Sequence, residues 1–306
     1  MSSEPVRILP VESWEYFQLY RDVREAIYSL PAYFRTETNI EGISATDIFT
    51  LNTALGATIE NQVVETLNQM RSVWDPDGEY ALYHFVRQSQ TFPDVLLAKT
   101  SDETANSGAR PEIILGIELK GWYLLAKEGE PSFRYKVTPS ACAVQDMIVV
   151  VPWALSNVIA GSPKVFTPYL ESAKYAAEYR NFWWKNVRQA QSNNAINSPT
   201  GVQPYPNKAD QIGDEPAYDR GGNFGRYSRT GIMDDYLRRA SSQPICGIRA
   251  DHWRAFFKLF QDQKDETIIA DQIAAMKNRV MEEEEIVDER REAILDIIAS
   301  LERLLP

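Results

Sequence analysis

Three ionisable side chains, Asp94, Glu118 and Lys120, stand where their types and spacing suit a hydrolytic reaction. Glu118 and Lys120 lie in "GIELKGWY", residues 116–123, directly after the apolar run "EIIL". Side chains alternate sides along a strand, so these two share one face while Leu115, Ile117 and Leu119 take the other. One face packs and the other carries charge, which needs a partner, water or a job if it is covered. Asp94 precedes Glu118 by 24 positions, in "FPDVLL", where Pro93 breaks off the preceding segment and Val95, Leu96 and Leu97 begin a second apolar run. If the two runs are neighbouring strands, Asp94 sits beside Glu118. Two carboxylates brought together repel unless a cation joins them, and hard oxygen ligands of this kind suit Mg²⁺. Such a metal polarises a phosphoryl oxygen and acidifies a bound water. Lys120 would orient or deprotonate that water and offset charge as a pentavalent phosphorane builds. The plainer alternative is a solvated strand face with Asp94 in a turn.

The pattern Pro93-Asp94, a spacer, then Glu118-Leu119-Lys120 on an apolar strand resembles that of the PD-(D/E)XK nuclease superfamily, and the size and helical amino terminus look like a type II restriction endonuclease. The resemblance implies a restriction-endonuclease-like α/β core, a mixed central sheet flanked by helices. It also implies that Asp94, Glu118 and the carbonyl of Leu119 ligate Mg²⁺ and that Lys120 serves the nucleophile. Many members of that superfamily add an acidic residue from an upstream helix, and "GATIENQVVETL" offers Glu60 first and Glu65 second.

The elements needed to position these groups follow from hydrophobic periodicity. "VESWEYFQLYRDVREAIYSL" and "ISATDIFTLNTALGATIENQVVETLNQMRSVW" read as helices, the second capped by Ser44 or Thr46. "WDPDGEY" is turn chemistry, and "YALYHFVRQ", "FPDVLLAK" and "EIILGIELKGWYLLAK" read as strands, with a short helix as the alternative for the first. "MIVVVPWAL" has the β-branched composition of a buried strand ended by Pro152, and "PYLESAKYAAEYRNFWWKNVRQA" reads as one long helix. Within it Tyr175, Tyr179, Phe182 and Trp183 recur at three and four, a pattern more often core than stacking platform. His84 is expected to be a packed or capped histidine.

From about Gln191 to Arg229 the chain is rich in Asn, Ser, Pro and Gly, a loop of a length that in compact domains is usually functional or disordered. Its "DRGGNFGRYSRTG" segment offers Arg220, Asn223, Arg226 and Arg229 for base edges or phosphates of double-stranded DNA, with an ordinary surface loop as the alternative. Beyond "FFKLFQDQ" neither Gly nor Pro appears before Pro306, and Ile269, Ile273, Met276, Val280, Val287, Ile294, Ile297, Leu301 and Leu304 recur at spacings of three and four with gaps. This predicts a long C-terminal amphipathic helix, packed on its own domain or self-associating as a broken coiled coil. The expected organisation is one nuclease domain over 1–260, comprising a helical N-terminal stretch over 1–75, a catalytic core over 76–190 and a recognition region over 191–240. The helix 261–306 follows as a dimerisation element.

The totals set limits on partners and location. A chain of 306 residues that is 44% hydrophobic can bury a real core, and two cysteines and two histidines exclude a disulfide framework and a His-rich metal cage. The net charge of −11 disfavours a simple polyanion binder. Distribution softens that conclusion, since residues 262–306 hold 13 acidic and 6 basic side chains, whereas 164–239 hold 11 basic and 8 acidic. Without a signal core or an apolar run long enough for a bilayer, the chain is expected to be cytoplasmic and free of membrane. Together these features predict a Mg²⁺-dependent type II restriction endonuclease acting as a homodimer. The rivals are a structure-selective repair, recombination or phage nuclease on the same core, and a non-catalytic coiled-coil interaction protein.

Overall fold

The structure is a computed structural model and describes residues 3–44, 47–88, 91–100, 111–188, 193–219, 223–261, 266–282 and 288–302. Helices α1 (Phe17–Tyr33), α2 (Leu51–Gln69) and α3 (Arg71–Trp74) come first, then strands β1 (Tyr83–Arg87), β2 (Val95–Lys99), β3 (Ile113–Tyr123) and β4 (Met147–Leu155). Two short strands, β5 (Pro163–Val165) and β6 (Tyr169–Ser172), lead into α4 (Ala173–Phe182), continued by a π-helical turn over Trp183–Val187. The order across the sheet is β1-β2-β3-β4-β5, with β6 also on β4; among the described residues only β3 and β4 pair in parallel. The sheet is mixed and flanked by helices, in keeping with the α/β class that the helix and strand periodicities predict.

β4 is buried at all nine positions, as a β-branched run covered on both faces should be. Leu115, Ile117 and Leu119 of β3 are buried together with Ile59, Val63 and Leu67 of α2, which packs on that strand. The opposite face of β3 is also covered at Ile114 and Trp122. Glu118 and Lys120, only partly buried, therefore mark an opening in a packed layer and not a plain solvated face.

Several expectations are corrected. Pro152 does not end its strand: β6 pairs with Met147–Val150 and β5 with Trp153–Leu155, so the missing N–H falls where the partner strand changes. The predicted helix from Pro168 begins instead as β6, because Ser172 caps α4 by accepting the Tyr175 N–H at 3.3 Å. The helical stretch of the second segment starts at Ile48, past Ser44, while Thr46 lies outside the described residues. Tyr175 is buried as expected, whereas Tyr179, Phe182 and Trp183 are half-buried and Trp184 is the fully buried indole of that turn. His84 is held on β1 by the Thr100 hydroxyl at 2.8 Å.

The remaining chain carries strands β7 (Ile196–Asn197), β8 (Glu215–Pro216), β9 (Pro244–Ile245) and β10 (Ile248–Arg249) and helices α5 (Asp234–Ser241), α6 (Ala250–Gln261), α7 (Glu266–Glu282) and α8 (Asp288–Glu302). In place of one long C-terminal helix there are two, α7 and α8, in contact with each other. Ile273, Val280, Ile294 and Ile298 are buried within the chain itself, so at these positions the apolar stripe is already covered. Of the other stripe positions, Val287 and Leu304 lie outside the described residues, and so do the side chains of Ile269, Met276, Ile297 and Leu301. Among the described residues no helix is long and apolar enough to cross a membrane.

Candidate active site

Antiparallel pairing of β2 with β3 sets Val95 opposite Ile117. One step further, Asp94 therefore comes opposite Glu118, and β2 ends there while β3 runs on to Tyr123. The odd-numbered N–H groups of that overhang have no strand to bond. Each takes a side chain instead: Leu119 donates to Asp94 Oδ2 at 3.1 Å, Gly121 to Glu60 Oε1 at 3.1 Å, and Tyr123 to Asn52 Oδ1 at 3.2 Å. A buried or half-buried donor left unpaired is costly, so an interrupted ladder recruits acceptors. Here two of those acceptors are carboxylates.

Asn52, Gly56 and Glu60 recur every four residues and so share one face of α2. Gly121 lets that face come close, because a Cβ there would lie 3.4 Å from the Gly56 carbonyl oxygen. Glu65, five residues after Glu60, falls well round the helix and is exposed away from the site. Of the two upstream acids, α2 thus delivers Glu60 alone. Its carboxylate receives Lys120 Nζ at 3.2 Å and lies 3.8 Å from Arg87 Nη2.

Asp94 is tied to the strand that carries Glu118, since the Leu119 N–H bonds to Asp94 Oδ2. Burial, then the neighbouring Glu60 charge, pushes Asp94 up to about 6, against the pull of the Leu119 N–H, Arg87 and Lys120. Glu118 is raised well above the usual carboxylate range, by burial first and the Asp94 charge second, against the Asp94 N–H and Lys120. N–H and C=O of one residue project to the same side of a strand, so the Leu119 carbonyl shares the open edge with Asp94.

The arrangement gathers three carboxylates, two cations and one strand carbonyl at a gap in the sheet. Asp94 and Glu118 have repelling, partly desolvated charges, and such a pair is relieved by a hard divalent ion that keeps some of its waters. Among the described residues no three His, Cys, Asp or Glu side chains form a ready-made cage. The donor set here is two carboxylates and a carbonyl, the sparse kind that fits Mg²⁺.

The glycine-rich segment packs along the Phe133–Tyr135 stretch. Gly225 adopts φ +79° and its carbonyl accepts the Tyr135 N–H at 2.7 Å; a Cβ there would stand 3.1 Å from the Tyr135 carbonyl oxygen. The glycine thus serves close approach of the chain to itself. Arg229 is tied to Glu130 at 2.8 Å and donates to Asn223 Oδ1 at 3.0 Å. Arg226 is half-buried in the bridge to Arg134, and Arg220 lies outside the described residues.

Sequence reasoning missed Asn52 and Arg87, although the four-residue repeat Asn52-Gly56-Glu60 is a signal that a helix face meets a strand edge. It also missed the buried pair Arg180–Asp214, at 2.5 Å, whose guanidinium donates to the carbonyls of Tyr135 and Val137 at 2.7 and 3.0 Å and so holds the segment beside the Gly225 loop. Against family models, curated proteins and solved structures, the chain matches none.

Proposed function

We propose that this chain is a Mg²⁺-dependent endonuclease of the type II restriction class, hydrolysing phosphodiester bonds of double-stranded DNA at a specific sequence. The observation that carries the reading is Asp94 set opposite Glu118, with the Leu119 backbone at the same open edge and Lys120 one alternation further along the Glu118 face. Asp94, Glu118 and the Leu119 carbonyl would hold the ion. When bound, Mg²⁺ supplies Lewis acidity toward the phosphoryl oxygen and an acidified water. Lys120 orients the attacking water and offsets charge on the phosphoryl group, and Glu60 positions Lys120 until substrate arrives. Asn223, Arg226 and Arg229 are the proposed DNA-facing groups, together with Arg220, which lies outside the described residues. Two strands require two cuts, so the proposed working form is a homodimer.

The test is incubation of the purified chain with phage DNA and Mg²⁺, followed by end-sequencing. Discrete fragments with common ends, lost in EDTA and lost in Asp94→Ala or Lys120→Ala, are expected. Cutting confined to branched DNA would replace the restriction reading by the structure-selective one. Absence of cleavage, together with no protection against heat by Mg²⁺, would overturn both and favour an interaction protein.

A further inference from the structure

Arg87 has no role in the reaction just described, yet the fold builds it into the site. It ends β1 opposite Val95, next to Asp94 across the ladder. The following residue fixes it there: Gln88 N–H donates to the Asp94 carbonyl at 2.7 Å and its side-chain amide to the Pro93 carbonyl at 2.9 Å. From the other side α2 presents two consecutive acceptors. Nη1 of Arg87 donates to Asn61 Oδ1, and Nη2 lies 3.8 Å from Glu60 Oε2.

An ion pair this long, with the arginine side chain 35% exposed, adds little stability. What it does supply is orientation, because a planar guanidinium held at two corners still has donors left among its five N–H bonds. Glu60 sits between Arg87 and Lys120 and holds both cations on one lip of the opening that contains Asp94 and Glu118. Arg87 is 35% and Lys120 33% exposed while Glu60 between them is 12% exposed, so both cations are accessible to an entering polyanion.

We infer that Arg87 binds a non-bridging phosphate oxygen of the DNA backbone, setting the strand's register against Asp94 and Glu118. The inference rests on the nuclease reading above and adds a phosphate contact to it. Its measurable signature is counterion release, since each phosphate neutralised contributes about 0.9 to the slope of log K against log salt on duplex DNA.

The experiment uses the full chain, a short fluorescein-labelled duplex, EDTA to prevent cleavage, and anisotropy titrations over a salt series. Arg87→Ala and Arg87→Gln are expected to weaken binding roughly tenfold at low salt and to lower the slope by about one. Arg87→Lys, which keeps the charge, should retain the slope. The glutamine variant keeps a polar, uncharged side chain on β1, so beside the alanine variant it separates loss of charge from loss of side-chain bulk. A merely structural arginine would lower the unfolding midpoint of the alanine variant and leave all slopes equal, and that result overturns the inference. If the unaltered chain cuts and binds DNA while both neutral variants match its slope, only the role of Arg87 falls. If the unaltered chain shows no salt-dependent DNA binding, the nuclease reading falls with it.

Discussion

Replacing Asp94 by Asn should stabilise the metal-free protein while removing its proposed activity. The amide has the same shape and keeps an oxygen for the Leu119 N–H, but carries no charge toward Glu118 and Glu60. Raising a carboxyl from 3.8 to about 6 corresponds to about 3 kcal/mol against its ionised form in the folded state. Partial solvent access reduces that, so the expected gain near neutral pH is about 1–3 kcal/mol, or roughly 2–4 °C in Tm per kcal/mol. The sign follows from proton counting. Between 3.8 and about 6 the folded chain binds more protons at Asp94 than the unfolded one, so stability conferred by this group falls as pH rises through that window. The advantage of the variant should therefore be full above about pH 6 and gone below about pH 4. Urea unfolding followed by tryptophan fluorescence in EDTA measures it. Adding Mg²⁺ near neutral pH should raise the midpoint of the unaltered chain and not that of the variant. An Asp94→Asn protein less stable than its parent in EDTA, or a gain that persists unchanged at low pH, would refute the repelling pair of carboxylates on which the metal argument depends.

Two further outcomes are expected. Glu60→Gln keeps an acceptor for the Gly121 N–H but loses the ion pair to Lys120, so single-turnover cleavage should slow by about 10²-fold with DNA affinity little changed; an equal loss in both would assign Glu60 to binding instead. Asp214→Ala strands the Arg180 guanidinium in the interior and should cost about 3–5 kcal/mol in urea unfolding, with a loss under about 1 kcal/mol contradicting the pair's structural role.

The strands around the site were legible because each joins an apolar run to turn chemistry, as "FPDVLLAK" and "EIILGIELKGWYLLAK" do. Their alternation correctly separates Leu115, Ile117 and Leu119 from Glu118 and Lys120. Periodicity failed where two periods meet. "PYLESAKYAAEY" suits a helix throughout, but pairing of Tyr169–Ser172 with β4 satisfies four backbone positions at a sheet edge and moves the helix start to Ser172. The C-terminal stripe reads equally well as one helix or two, since a covered apolar face has the same pattern whether a second chain or the next helix covers it.

Residue types and local pattern thus determine which side chains are ionisable, which face of β3 carries them, and that an acid-bearing helix precedes the strands. Tertiary structure decides which distant groups meet. The β2–β3 register puts Asp94 opposite Glu118, the early end of β2 leaves three N–H groups unpaired, and α2 supplies Glu60 and Asn52 to them while turning Glu65 away. The reason is one of range: alternation along a strand is set by bonds between neighbours, whereas the end of a ladder is set by a partner strand far along the chain.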